Sequence, residues 1–280
     1  MGKKKDSLEL YFHIPFCIKK CDYCDFLSGP ATRAGQEAYI YALLREMKAV
    51  SAIEKRTVDT VFIGGGTPSV PECGIMEKLL QGIGKNFQLA ADAEVTIEAN
   101  PGTLTPEKLA LYRRYGINRI SIGLQSPENQ ELRALGRIHN YQQFLESYHM
   151  AREAGFSNIN IDLMFAIPGQ SYEGWIQNLR TVAKLGPEHI SAYSLIIEEG
   201  TPFSARKLDL PDEDTEYRMY EDVAAVLGKY GYYQYEISNY AKKDRNCRHN
   251  EGYWQRKDYL GLGLGAASLV GRERFTNTSD

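Results

Sequence analysis

Cys17, Cys21 and Cys24 form a C-x3-C-x2-C cluster directly after a short apolar segment, so three of the chain's five cysteines fall within eight residues. Thiolates spaced this tightly are metal or cluster ligands before they are anything else. Three ligands leave one position of a four-coordinate centre unfilled, and an unfilled position is where chemistry happens. Two centres are open. A zinc ion would need a fourth ligand, which His13 or His249 could supply, although structural zinc usually draws on C-x2-C pairs. An iron–sulfur cluster fits three thiolates in one short loop better. Cys73 follows Pro71-Glu72 at an expected helix start and reads as a free thiol; Cys247 lies near His249 and fits either role.

Further candidates lie downstream. Gly64, Gly65 and Gly66 follow a strand-like run, and their missing side chains let a ligand lie against the backbone. A phosphate loop would continue into Gly-Lys-Ser/Thr, whereas Thr67-Pro68 follows here. Glu98, Gln125 and Asp162 fall on polar strand faces near C-terminal ends, and the Arg137 guanidinium suits a carboxylate. Each alone also suits a satisfied core polar group; together they suggest a ligand constellation. His249-Asn250 with Tyr253-Trp254 reads either as a polar turn carrying a half-buried Trp or as a second binding motif. His139, His149 and His189 have no evident partners and read as structural.

The elements that must position these groups alternate. Strand-type runs cover residues 8–14, 58–63, 94–99, 118–124, 158–165 and 189–196, with helical periodicity between them. Ile40, Leu43, Leu44, Met47 and Val50 share one helix face. A second helix starts with Thr105 as N-cap and Pro106 in its first turn and stops at Gly116; a third carries Trp175, Leu179 and Val182 and ends at Gly186-Pro187. Six strand–helix repeats imply a parallel sheet with helical crossovers. Several strands alternate apolar and polar residues. Val95, Ile97 and Ala99 oppose Glu94, Thr96, Glu98 and Asn100; Ile120, Ile122 and Leu124 oppose Ser121, Gly123 and Gln125. An open doubly wound sheet would be apolar on both faces, and a closed eight-stranded barrel fills its lumen with apolar layers. The expected fold is therefore α/β, an incomplete parallel (β/α)6 barrel over residues 1–200 with a polar lumen. Residues 201–280 form a C-terminal α+β extension, the start of a further domain, with an acidic helix start at Asp212, a tyrosine-rich strand over 232–237 and no convincing element at the end. A continuation beyond Asp280 is expected.

With 43% hydrophobic residues a sizeable core is available, and a net charge of −3 gives no sign of nucleic-acid or anionic-membrane binding. Lys3, Lys4 and Lys5 read as a solvated terminus. No apolar run approaches the roughly 18 residues that span a bilayer, no apolar region of the signal-peptide kind appears, and a cytoplasmic location is expected.

The segment from Tyr11 through Pro15-Phe16-Cys17 to Cys21-Asp22-Tyr23-Cys24 resembles the opening of the radical S-adenosylmethionine (SAM) superfamily. More narrowly it resembles the branch that holds oxygen-independent coproporphyrinogen III oxidases and HemW-type haem chaperones. Gly64 to Pro68, Ile97 to Pro101, Ile122 to Ser126, Asp162 to Gln170 and His249 to Trp254 support the resemblance across nearly the whole chain. It implies a [4Fe–4S] cluster on Cys17, Cys21 and Cys24, with SAM chelating the unligated iron and cleaved by one electron to a 5′-deoxyadenosyl radical. It implies Gly65 and Gly66, with Thr67 nearby, at the SAM amino group, and contacts to SAM, or to a second SAM in the oxidases, from Glu98, Gln125, Arg137 and Asp162. Tyr11 and Ile196 match further contacts, and Tyr23 an aromatic beside the cluster. It also raises a haem-facing role for His249, as axial ligand, with Asn250, Tyr253 and Trp254. Two functions follow: a chaperone that binds haem and delivers it to an acceptor protein, or an oxidase that decarboxylates two propionates of a porphyrinogen. Either would draw on an electron-donor protein. The oxidases carry a further cysteine where Phe26 stands here, and a long N-terminal extension where the first strand here starts at Leu8. Both departures, with the His249–Trp254 motif, favour the chaperone.

Overall fold

The computed structural model describes residues 7–280; Lys3, Lys4 and Lys5 lie outside them. The alternation expected from the sequence is present. It runs β1 (Ser7–Ile14), α1 (Arg33–Ile53), β2 (Thr57–Gly65), α2 (Cys73–Asn86), β3 (Leu89–Ala99), α3 (Pro106–Arg114), β4 (Arg119–Gln125), α4 (Asn129–Ala134), α5 (Tyr141–Glu153), β5 (Ile159–Phe165), α6 (Tyr172–Leu185) and β6 (His189–Ser194). After a 3-10 turn at Pro202–Ala205 follow α7 (Glu213–Gly228), β7 (Tyr233–Gln234), β8 (Asn239–Ala241), α8 (Arg248–Trp254), β9 (Tyr259–Leu262), β10 (Ala267–Val270) and β11 (Glu273–Thr276). Local chemistry sets the helix ends. Thr105 caps α3 through a bond from the Lys108 N–H, with Pro106 in the first turn. Asp212 caps α7 and Ser171 caps α6, and Gly186 ends α6 in the left-handed conformation (φ 73°).

β1 to β6 pair in parallel and in order, within one eleven-stranded sheet of order β11-β10-β9-β1-β2-β3-β4-β5-β6-β8-β7. Its two edges do not bond to each other, so the barrel is incomplete. The strands after residue 200 join both edges of this same sheet: β9 runs parallel to β1, and β8 antiparallel to β6. The tyrosine-rich strand expected over 232–237 shortens to β7. Tyr232 is instead buried, with its hydroxyl donating to the Pro187 carbonyl (2.6 Å), and the chain turns back by Tyr240, which faces Gln234. The glycine-rich stretch from Leu260 hides two strands. A side chain at Gly261 would strike the Ala267 carbonyl at 2.3 Å, an approach that only glycine permits.

The two faces of the sheet differ as their alternation requires. On the outer face Leu10, Phe12, Ile63, Ile97, Ile122, Ile161 and Ile190 are buried against Ile40, Leu43 and Met47 of α1, Leu79 of α2 and Trp175 and Leu179 of α6. Each such side chain contributes about 1.5–3 kcal/mol by leaving water. The inner face is polar yet also buried, with Glu9, Thr60, Glu94, Arg119, Asn160 and His189 all below a tenth exposed. α8 plugs the N-terminal end of this lumen. Glu94 accepts from the Arg248 and His249 N–H groups (both 3.2 Å), and Gly252 lies against the Glu9 carboxylate.

Among the described residues the lumen leaves some groups unbonded: Thr96 Oγ1 and Arg119 Nε have no hydrogen-bond partner, and neither does either oxygen of Glu9. Burial, opposed by Lys257 at 3.7 Å, pushes its carboxyl from 4.5 up to about 8. The native state therefore holds a proton between those values where the unfolded chain has released it, and stability drains as pH rises through that window. Glu9→Gln should match the parent near pH 4.5 and exceed it above pH 8 by on the order of 5 kcal/mol. Urea unfolding across that range reads this directly; a constant difference at all pH values would contradict it.

Candidate functional site

The loop between β1 and α1 carries all three clustered cysteines and is held from several sides. Thr67 and Gly66 donate backbone N–H groups to the carbonyls of Phe16 (2.7 Å) and Ile14 (2.9 Å). Cys17 N–H donates to Gly29 (3.0 Å), and Asp22 N–H to Leu135 (3.3 Å). The Asp22 carboxylate takes the Arg206 guanidinium at 2.6 Å. The Gly64–Gly66 turn explains its own composition. Gly65 has φ 114°, and a methyl group on Gly66 would lie 2.8 Å from the Phe16 carbonyl oxygen.

Cys17, Cys21 and Cys24 open on one cleft of about 530 Å³ at the C-terminal ends of the parallel strands. Tyr23, Gly65, Gly66, Thr67, Glu98, Gln125, Arg137, Asp162 and Ile196 line the same cleft. A chain of hydrogen bonds joins two of the thiols. Thr67 Oγ1 lies 3.6 Å from Cys17 Sγ and accepts from Asn100 Nδ2 at 2.8 Å; Asn100 Oδ1 accepts from Arg137 Nη2 at 2.7 Å; Arg137 Nη1 reaches Cys21 Sγ at 3.6 Å. Gln125 ends β4 with φ 72°, a costly conformation for a residue with a side chain. Its Oε1 accepts from the Tyr193 hydroxyl at 2.8 Å.

Glu98 and Asp162 are the two carboxyls that the strands bring to this cleft, which Asp25 and Glu198 also line. Burial and then the Asp162 charge push Glu98 from 4.5 up to about 8, and one hydrogen bond from the Gly65 N–H (3.1 Å) offsets only part of this. Burial likewise raises Asp162, which accepts from Asn160 Nδ2 (2.7 Å) and Ser121 Oγ (3.1 Å). A cationic ligand group placed against Glu98 would restore its charge, and hydroxyl donors suit Asp162. Asn100 and Tyr193 were not singled out as site residues from the sequence. Asn100 is in phase with Glu98 on β3, and Tyr193 with Ser191 on β6, which is the signal that finds both.

The remaining expected positions lie elsewhere. Tyr11 donates to His13 Nδ1 (3.0 Å) and faces a second cleft, which Tyr253 also lines. His13 also bonds the Leu27 carbonyl through Nε2 (2.8 Å). His249 is 1% exposed, with Nδ1 on Thr60 Oγ1 (2.6 Å) and Nε2 on the Tyr253 hydroxyl (2.8 Å). Its ring stacks on Phe62, and burial lowers it to about 3. Axial ligation by His249 would require breaking one of these bonds and opening the lumen plug. Trp254 is 59% exposed rather than half-buried, and donates to Glu236 (3.0 Å). Asn250 is partly exposed on the same short helix. His189 is fully buried between Asn160 Oδ1 (2.5 Å) and the Tyr235 hydroxyl (2.8 Å), and burial lowers His139 to about 3.

Among the described residues no three His, Cys, Asp or Glu side chains converge on a single-ion site. Three thiols from one short loop on one cleft suit an iron–sulfur cluster better than one zinc. Both histidines considered as a fourth zinc ligand have their ring nitrogens occupied.

The family model described as the Radical SAM superfamily matches residues 11–182. The heme chaperone HemW of Escherichia coli (strain K12) is 43% identical over 269 residues, which cover 95% of this chain and 71% of that protein. The heme chaperone HemW of Lactococcus lactis is 40% identical over 271 residues, covering 95% and 71%. Among solved structures, the coproporphyrinogen III oxidase HemN of Escherichia coli, a radical SAM enzyme, superposes with a TM-score of 0.88 at 27% identity, covering 99% of this chain and 68% of that one.

Because Gly66 is packed against the backbone of the cysteine loop, Gly66→Ala should destabilise the chain by about 1–3 kcal/mol, a typical overpacking cost. Denaturant unfolding measures it, and unchanged stability would show that the loop yields freely.

Proposed function

The chain belongs to the radical SAM superfamily and, within it, to the heme chaperone HemW family, and from that premise we propose that it is a [4Fe–4S] protein that binds haem and passes it to an acceptor protein. The observation that carries the cofactor part is the convergence of three thiols and a glycine-lined, carboxylate-bearing wall on one cleft. Cys17, Cys21 and Cys24 would hold the cluster and leave one iron free for SAM. When bound and reduced, the cluster supplies the electron that splits the carbon–sulfur bond of SAM.

The chain's own residues do the rest. The Gly64–Gly66 turn leaves its backbone bare beside the thiols, so that the amino-acid end of SAM can approach. Glu98, deprived of hydration, gains most from a nearby ammonium group. Asp162 is set to accept from ribose hydroxyls. Arg137 directs positive charge at the Cys21 sulfur, which favours a negatively charged cluster there. The haem part rests on kinship with the HemW chaperones. The electron donor and the acceptor protein belong to the same reading.

Likeness to the HemN oxidase structure sustains one alternative, decarboxylation of coproporphyrinogen III. An anaerobic assay separates the two. The cluster-loaded protein is given SAM, a low-potential reductant and coproporphyrinogen III, and the tetrapyrroles are weighed by mass spectrometry. The chaperone reading expects haem binding with no loss of carboxyl groups; many turnovers of decarboxylation would establish the oxidase instead. Cys21→Ala should lose the cluster's iron and SAM cleavage together, as iron analysis and methionine release would report. Glu98→Gln should keep its iron and bind SAM at least about tenfold more weakly, the loss of one charged contact; unchanged affinity would remove Glu98 from the SAM site.

A further inference from the structure

The second cleft, of about 550 Å³, lies on the inner face of the sheet near its open edge, between α8 and the β9–β11 ribbon. Its size is that of a site for a ligand of a few hundred daltons. Tyr11, Tyr253 and Tyr259 line it, with Tyr253 and Tyr259 edge to face at 4.7 Å between ring centres. Ala267 and Leu269 add a small apolar wall. Arg256, Arg272 and Arg274 complete its lining.

What distinguishes this cleft is unbalanced charge. No carboxylate lines it, and none of the three arginines forms an ion pair or a side-chain hydrogen bond among the described residues. Asp258, the nearby candidate, is already taken by Arg56 at 2.6 Å and by the Gly271 N–H at 3.0 Å. The placement follows from register. Leu269 faces Arg274 across the β10–β11 hairpin, and Ala267 faces Thr276, so register sets Arg274 on the face that carries the apolar wall, while Arg272 reaches the cleft from the hairpin turn. Beside an aromatic surface, free guanidiniums select a flat ligand bearing carboxylates, which they grip bidentately.

We propose that this cleft holds the propionate edge of a tetrapyrrole, with Arg256, Arg272 and Arg274 taking its carboxylates and Tyr253 and Tyr259 meeting its ring. The proposal rests on the haem reading and goes beyond it, for it assigns recognition to carboxylates rather than to axial ligation by His249. It separates tetrapyrroles by carboxylate count: haem offers two propionates and coproporphyrin III four.

The test titrates the 280-residue chain with haem, metal-free protoporphyrin IX, protoporphyrin IX dimethyl ester and coproporphyrin III, followed by absorbance and fluorescence. It is repeated on Arg272→Ala/Arg274→Ala, whose changes are confined to exposed side chains, and on Arg272→Lys/Arg274→Lys. The diacid should bind without iron, and the diester at least about tenfold more weakly. The alanine pair should weaken both diacids by a similar factor, leave the diester unchanged and retain its circular dichroism and melting point, while the lysine pair recovers part of the loss. Tighter binding of coproporphyrin III than of protoporphyrin IX would point to the four-carboxylate ligand as the occupant, still at this site. Equal binding of diacid and diester, or no effect of the alanine pair while haem still binds, would overturn the proposal and leave the haem reading standing. Failure of the parent chain to bind any of the four would overturn both.

Discussion

Two backbone hydrogen bonds hold this site together, from Gly66 to Ile14 and from Thr67 to Phe16. They fasten the cysteine loop leaving β1 to the glycine turn leaving β2, two segments some fifty residues apart. Thiols and glycine-lined wall thereby become one object. The fastening works only because Gly66 carries no side chain, and because the parallel pairing of β1 and β2 runs on to Ile14 and Gly65, delivering both segments to the same end of the sheet. Asn100 and Arg137 extend the arrangement to β3 and to the segment after α4. A disturbance at Thr67 would therefore reach Cys21 through hydrogen bonds rather than through the cysteine loop alone.

The second constraint is the polar lumen. A parallel sheet that turns Glu9, Glu94, Arg119, Asn160 and His189 inward has to find partners for them. It does so unevenly. Asn160 and His189 satisfy each other, and Glu94 holds the start of α8, while Glu9 is left without hydrogen-bond partners. α8 thus acts as a stopper at the N-terminal end, and the open C-terminal end is left for ligands. His249 belongs to the stopper. Tyr253, one turn later, reaches past it to the second cleft, so the residues of a single short motif serve two different places.

Much of this was legible in the residues themselves. All six parallel strands, the cap at Thr105, the acidic helix start at Asp212 and the stop at Gly186 follow from alternation and end signals. The polar faces of β3, β4 and β5 pointed to the lumen, and the position of Glu98, Gln125 and Asp162 on them to a shared cleft. What escaped was long-range. Nothing local says that β9 lies beside β1, because glycines that permit close approach also erase strand periodicity. Arg119 is in phase with Ser121 and Gly123, yet a lone arginine at a strand start reads as solvated until neighbouring strands bury it. Trp254 reads as half-buried by type and is 59% exposed, with its indole N–H on Glu236. The second cleft is assembled from β1, α8 and the β9–β11 ribbon, and no local spacing rule connects Tyr11 with Arg274.

We propose that the three thiols hold a cluster with one iron open to SAM. Electron–nuclear double resonance on the reduced, reconstituted protein tests it most directly, using SAM labelled at the amino nitrogen and at the carboxylate oxygen in turn. Strong couplings from both labels, lost in Cys21→Ala, are the expected result. A fully loaded cluster whose spectrum shows no coupling to either label would contradict the account.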